Sequence, residues 1–123
     1  SMKKILPILA VSALLCSCET EDKDIYSRQI QIDSNPTGTT IVIDGLRLGK
    51  TPMSVGVETN DSGCFVRKTV ITAIPSDSGL HTQVVTFPAF RMDDGGKSIV
   101  PEKIFFDLTK SPAEGGGVKI NED

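Results

Sequence analysis

The sequence predicts an all-β fold, a small antiparallel β-sandwich, with a partly closed β-barrel as the alternative. From Ile30 onward, apolar side chains alternate with polar ones, which is the period of a half-buried strand. No window keeps an apolar period of 3.6 over the roughly ten residues that a helix needs. Turn-forming residues separate six or seven such segments, a spacing typical of sandwiches and barrels.

The clearest single element is a β-hairpin. Residues 39–43 are β-branched throughout and are followed by Asp44 and Gly45. A two-residue type I′ turn needs positive φ at both central positions, which Asp tolerates and Gly adopts freely. The return strand runs as far as Gly49, so Asp44, Gly45 and Gly49 are the predicted structural turn residues.

Five further strands are predicted, at residues 30–33, 53–59, 65–74, 82–87 and 103–108. The segment 65–74 is the longest and is apolar on both faces, so we expect a central strand covered on both sides. Residues 93–101 are expected to form a loop. Residues 111–123 lack a periodic pattern and are expected to form a flexible tail.

The start of the chain has the features of a secretory signal. Ser1 is interpreted as an expression remnant before a natural start at Met2, and two lysines precede an apolar run at residues 5–15. That run is shorter than the roughly 20 residues needed to span a bilayer. The tetrapeptide Leu-Cys-Ser-Cys that ends at Cys18 resembles a bacterial lipoprotein box, which implies lipidation of Cys18. The alternative is an ordinary cleaved signal whose cysteines lie near the cut.

These signals divide the chain into four parts. Residues 1–17 are the remnant and signal peptide, 18–28 the lipidated cysteine and an acidic tether, 29–110 the sandwich, and 111–123 the tail. The tether has too little apolar surface to order itself. Acid-rich stretches behind a lipidated cysteine also resemble the surface-export signal of Bacteroidetes lipoproteins; a simple spacer is the alternative. The expected location is the bacterial outer membrane, and the resemblance to the surface-export signal implies exposure at the cell surface.

The charge balance bears on the partners. The chain carries 13 basic and 16 acidic side chains, and loss of Lys3 and Lys4 with the signal changes the net charge from −3 to −5. An acidic chain without a basic cluster is a poor nucleic-acid binder, so that class is set aside. Only Cys18 and Cys64 remain after the signal, too few for a disulfide framework. Stability must therefore come from a hydrophobic core.

The glycine-rich stretch at residues 34–52 raises the question of a phosphate site. Its Gly-Lys-Thr at Gly49 echoes the end of a P-loop. The glycine required five positions earlier is replaced by Asp44, however, and the alternation after Pro52 does not predict the helix that a P-loop precedes. We reject the P-loop interpretation.

The same stretch resembles the PEGA repeat of bacterial and archaeal envelope proteins. That repeat runs from Ser-x-Pro-x-Gly-Ala through a β-branched strand and Asp-Gly to Gly-x-Thr-Pro. The matching positions are Ser34, Pro36, Gly38, Ile41 to Ile43, Asp44, Gly45, Gly49, Thr51 and Pro52. Threonines replace the Glu and Ala of the repeat, and the chain downstream is longer. The resemblance covers about residues 30–57 and implies a small β-sandwich without catalytic residues in the cell envelope.

The part of the chain beyond the signal offers no constellation for catalysis. His81 is the sole histidine, and a metal site or a nucleophile–base pair needs convergent partners. Cys64 begins an apolar strand and is expected to be a core residue. Asp93 and Asp94 precede two glycines but lack EF-hand spacing, so a solvated turn is favoured over a calcium site. We expect no enzyme activity, no cofactor and no metal.

The leading functional expectation is a non-catalytic, lipid-anchored envelope sandwich that binds or scaffolds other envelope components. The alternative is an accessory carbohydrate-binding lipoprotein of a glycan-uptake system. The proline-bounded segment 88–101 supplies the candidate partner-binding residues Phe90, Arg91 and Met92, since these residue types are enriched at interfaces. In the alternative, Phe90 belongs to an aromatic platform for sugar. The competing interpretation of Phe90 is packing into the core.

Overall fold

The computed structural model describes residues 26–122, which form a small all-β sandwich of two stacked four-stranded sheets without a closed barrel. The elements in chain order are β1 (Tyr26–Asn35), β2 (Thr40–Ile43), β3 (Leu46–Lys50), β4 (Met53–Thr59), β5 (Thr69–Ile74), β6 (Gln83–Phe87), β7 (Lys103–Asp107), a 3₁₀ turn (Pro112–Glu114) and β8 (Val118–Ile120). Within this part of the chain, no helix has the length and apolar character needed to cross a bilayer. The predicted signal peptide, Cys18 and most of the acidic tether lie outside the described residues.

The first sheet has the strand order β4-β1-β7-β8, and the second has the order β3-β2-β5-β6. Every neighbouring pair is antiparallel except β1 and β7, which run parallel. The predicted small antiparallel β-sandwich is confirmed, and this one parallel pair is a departure from its antiparallel pattern. Alternation of side chains shows that a segment is a strand but carries no information on the direction of its neighbour.

The strand directions define two ends of the sandwich. The proximal end carries the start of β1, the turn between β2 and β3, and the segments 60–68 and 88–102. The distal end carries the connections at 36–39, 51–52, 75–82 and 108–117. The 88–101 segment and the point where the chain enters β1 thus lie at the same end.

The core lies between the two sheets. Along β1, Ile30 and Ile32 point inward while their neighbours point to solvent, as the alternation predicts. The rings of Phe65 and Phe87 stack with centroids 4.8 Å apart. The other buried apolar side chains of this cluster are Ile41, Val55, Ile71, Ala73, Val100, Ile104, Phe106 and Leu108. Both halves of the chain therefore contribute to one core.

The predicted strand at 65–74 is shorter than expected and buried on one face. β5 begins at Thr69, and its buried side chains alternate with half-buried or exposed ones. Phe65 instead stacks on Phe87, and its N–H donates to Ser98 O at 2.8 Å. The segment 65–74 thus contains two parts: Phe65, which packs in the core from outside β5, and the strand β5 itself, which buries alternate side chains. In a two-layer sandwich each sheet has only one inner face.

The predicted tether at 18–28 overlaps the fold. β1 starts at Tyr26, and residues 26–28 pair with residues 57–59 of β4. The Arg28 guanidinium packs on Gly63, where an added Cβ would lie 2.9 Å from Arg28 Cζ. The domain boundary predicted at residue 29 is therefore corrected, because the described fold already includes residue 26. Polar side chains at an outer face do not distinguish a strand from a tether.

The predicted flexible tail at 111–123 is also corrected, because it contains the 3₁₀ turn and β8. β8 pairs with β7, and Asp107 N–H donates to Gly117 O at 2.7 Å. Gly117 N–H donates to the side-chain oxygen of buried Gln83 at 3.4 Å, which ties this segment to β6. A three-residue strand is too short to show alternation, so backbone pairing, and not an apolar pattern, places it in the sheet.

Candidate functional site

The 88–101 segment is attached to the body of the domain at both of its arms. Phe90 N–H donates to Phe65 O at 2.9 Å, and Val100 N–H donates to Gly63 O at 2.9 Å. A β-bridge between Cys64 and Ile99 lies beside the second contact. The backbone at the base of this segment, hereafter the 88–101 loop, is therefore fixed against segment 63–65.

Asp94 organises the interior of the loop. Its carboxylate accepts hydrogen bonds from Ser98 Oγ at 2.6 Å, Gly96 N–H at 2.8 Å and Arg91 N–H at 3.1 Å. The Ser98 hydroxyl, and after it the backbone N–H of Arg91, holds the pKa of Asp94 below its ordinary value of 3.8. Residues 26–122 contain no cluster of three or more His, Cys, Asp or Glu side chains able to hold a metal ion. Asp94 is thus a structural acceptor that shapes the loop.

The loop presents apolar side chains to solvent. Phe90 is 43% exposed and Met92 is 93% exposed, so neither belongs to the core. Arg91 lies between them, with its Nε 3.6 Å from Asp93 Oδ1. The three candidate partner-binding residues therefore stand together on a fixed backbone at the proximal end.

The predicted hairpin turn lies at the same end. Asp44 and Gly45 have φ values of 51° and 84°, the positive values that a type I′ turn requires. The Asp44 carboxylate accepts from Val70 N–H at 2.8 Å, while Asp44 N–H donates to Val70 O at 2.9 Å. The turn is therefore also fastened to β5.

The assignment of Gly49 to a turn is corrected. Gly49 lies within β3 and pairs with Ile41, next to a shift in the register between β2 and β3. The chain turns toward β4 after Lys50, at Thr51 and Pro52. A β-bulge also favours glycine, so the residue type alone does not separate the two roles.

The polar residues of the PEGA-like pattern meet at the distal end. Ser34, Thr39 and Thr51 are buried, and Thr39 N–H donates to Thr51 Oγ1 at 3.0 Å. Two hydroxyls donate to Pro36 O, that of Ser34 at 2.7 Å and that of Thr39 at 2.9 Å. The motif therefore holds a corner of the fold together, away from the 88–101 loop.

A shallow groove of ≈ 450 Å³ lies on the outer face of the first sheet, across β4, β1 and β7. Phe105 is half-buried there and lies opposite Asp33 on the neighbouring strand. Gln31, Ser54 and Glu122 add polar groups to the lining. Sequence reasoning did not single out this groove. The signal was an aromatic residue at an outward position of β7, between the inward-facing Ile104 and Phe106.

The two residues considered for nucleophilic chemistry lie apart. Cys64 is buried at the proximal end, where its N–H donates to Asn60 Oδ1 at 3.0 Å. His81 lies at the distal end, where its N–H donates to Leu108 O at 2.8 Å. The fold does not bring them together.

Comparison with known families gives one finding. Residues 27–62 match the PEGA domain, so the chain contains a PEGA-like domain. Such a domain suggests an envelope-associated, non-catalytic module. The matched residues supply β1 and β4 to the first sheet and β2 and β3 to the second. The residues that follow complete both sheets with two strands each. Searches of curated proteins and of solved structures returned no match.

Proposed function

We propose that this chain is a non-catalytic, lipid-anchored module of the bacterial outer membrane that binds an envelope component through the 88–101 loop. The PEGA-like domain at residues 27–62 supports the envelope assignment. The lipoprotein box at Cys18 supports the anchor, since an acylated cysteine with two chains holds a protein firmly on a membrane. Cys18 lies eight positions before the start of β1.

The observation that carries the binding role is the exposure of Phe90 and Met92 on a loop with a fixed backbone. A loop that is already ordered loses little conformational entropy when a partner binds. Aromatic, Met and Arg side chains are also the types enriched in interfaces. A mobile loop of the same composition would be a poorer binding surface.

Photo-crosslinking in the native envelope tests this role. A photoreactive amino acid at position 92 should form adducts with an envelope component, whether protein, glycan or lipid. The matched control is the same amino acid at position 84, which is also exposed but lies toward the distal end of β6. Equal adducts at both positions, or none at position 92, would remove the 88–101 loop from the proposal.

The outer-face groove favours a second candidate function, an accessory carbohydrate-binding lipoprotein. Sugar sites combine an aromatic surface with a few placed polar groups, and Phe105 with Gln31 and Asp33 provides that combination. Affinity electrophoresis in gels containing a soluble mannan, xylan or β-glucan tests it. We expect retardation by at least one glycan that Phe105→Ala abolishes and Val84→Ala retains. Equal mobility in every gel would exclude this function for these glycans.

A further inference from the structure

We propose that the component contacted by the 88–101 loop is the lipid surface itself, so that the proximal end of the sandwich rests in the interfacial layer of the membrane. This inference rests on the proposed function, because it requires the lipid anchor at Cys18. It goes further in assigning the orientation of the domain and the chemistry of its partner.

The first argument is the position of the anchor. Eight positions separate Cys18 from Tyr26, so even a fully extended connection spans at most about 28 Å. β1 then runs ten residues toward the distal end, a length of roughly 30 Å. Because β1 starts and β6 ends at the proximal end, the 88–101 loop emerges beside the anchored chain. The anchor therefore keeps this loop within reach of the headgroup layer.

The second argument is the distribution of exposed apolar side chains. Among residues 26–122, ten large hydrophobic side chains are exposed, and seven of them belong to the proximal end. These seven are Tyr26, Leu46, Val66, Phe90, Met92, Ile99 and Ile120, the last at the end of β8 beside the start of β7. They include the three most exposed of the ten: Met92 at 93%, Leu46 at 65% and Ile99 at 56%. Apolar side chains in water favour transfer to an apolar phase.

The third argument is the character of the polar groups at this end. Tyr26 is an amphipathic aromatic of the kind enriched where a membrane meets water. Long cationic side chains keep their charge in the headgroup layer while their stems cover apolar surface, and Arg91 and Lys97 lie on the loop. The loop's two acidic side chains are engaged, Asp93 with Arg91 and Asp94 with Ser98. Arg91 and Lys97 balance the charges of Asp93 and Asp94, so the loop itself carries no excess of negative charge.

A single-tryptophan experiment tests the inference, since the chain contains no tryptophan. Lipidated Met92→Trp protein is incorporated into phosphatidylethanolamine–phosphatidylglycerol vesicles with and without brominated acyl chains. We expect a blue-shifted emission that loses more than about half its intensity in brominated vesicles, since interfacial side chains reach the acyl boundary. Val84→Trp, toward the distal end, should emit at the aqueous wavelength in both. Phe90→Trp repeats the measurement if Met92→Trp changes the thermal unfolding.

The outcomes separate the inference from the proposed function. Protein that floats with the vesicles but shows equal, unquenched emission at positions 92 and 84 overturns the inference and leaves the anchor standing. Photo-crosslinks from position 92 to a protein alone would also overturn it. If mass spectrometry finds no acyl chains on the protein and the protein does not float with the vesicles, the lipid anchor itself is contradicted.

Discussion

The hydroxyl oxygens of Ser34 and Thr51 lie 2.6 Å apart in the buried corner between β1 and the start of β4. Because the Ser34 hydroxyl donates to Pro36 O, the Thr51 hydroxyl donates to Ser34. Thr51 Oγ1 in turn accepts from Thr39 N–H. Each hydroxyl proton thus has a defined acceptor, and residues 17 positions apart are joined.

Thr51→Val should destabilise the fold. The change keeps the shape of the side chain but leaves Thr39 N–H without this acceptor and Ser34 Oγ without its donor, and a buried unsatisfied group costs about 1–3 kcal/mol. Urea unfolding measures this loss. The matched control is Thr59→Val, because the Thr59 hydroxyl is buried without a hydrogen-bond partner among the described residues. That variant should be neutral or slightly stabilised. Equal losses in both variants would contradict the role of the contact.

Gly45→Val should destabilise the hairpin through its backbone. An added Cβ at Gly45 meets no atom within 4 Å, so the cost comes from the φ of 84° and not from a clash. A side chain in that region costs roughly 1–2 kcal/mol. Asp44→Asn is the control, because Asn tolerates positive φ and keeps a carbonyl acceptor for Val70 N–H. An unchanged melting temperature for Gly45→Val would remove the strain argument.

Cys18→Ala should leave the precursor unlipidated, because the thiol that receives the lipid is lost. Incorporation of a labelled fatty acid measures this. Cys16→Ala, two positions earlier, should be processed and labelled normally, since a small residue is accepted in the lipoprotein box. Labelling that survives in Cys18→Ala but disappears in Cys16→Ala would show that Cys16, and not Cys18, is the modified residue.

Asp94→Ala should loosen the 88–101 loop at neutral pH, seen as faster amide exchange at Arg91 and Gly96. The pKa of Asp94 is lowered in the folded protein, so its contribution is complete above the ordinary value of 3.8. It is lost as the pH falls through the lowered folded value, where wild type and variant should converge. Asp93→Ala is the control, because within residues 26–122 the charged partner of the Asp93 carboxylate is the exposed Arg91. Equal amide exchange in the two variants at neutral pH would contradict the role of the Asp94 carboxylate in ordering the loop.

Phe90→Ala combined with Arg91→Ala should barely alter the melting temperature, because Arg91 is largely in water and Phe90, 43% exposed, lies outside the core cluster. Phe65→Ala is the contrasting variant, since Phe65 is fully buried and such truncations cost about 3–5 kcal/mol. Thermal unfolding by circular dichroism compares them. A large fall in melting temperature for Phe90→Ala alone would mean that its packing supports the fold.

The fold class and the hairpin could be predicted because their determinants are local. Ile30 and Ile32 show the strand period directly, and Asp44 with Gly45 supplies the turn chemistry. The predicted length of β5 was wrong because Phe65 is buried by stacking on Phe87, a contact distant in sequence, and not as part of a strand alternation. β8 and the outer-face groove also depend on which strands become neighbours. A one-dimensional pattern does not specify that.

The parallel pairing of β1 with β7 determines when the domain becomes foldable. Gln31 lies opposite Lys103, 72 positions later, and β1 is an interior strand of the first sheet. Pairings of such high contact order pay loop-closure entropy before any contact stabilises them, which slows folding. During synthesis the edge of β1 that pairs with β7 therefore stays unpaired until residues 103–107 have been made. A nascent chain that has not yet reached β7 therefore holds the PEGA-matched strands but only two of the four strands of its first sheet.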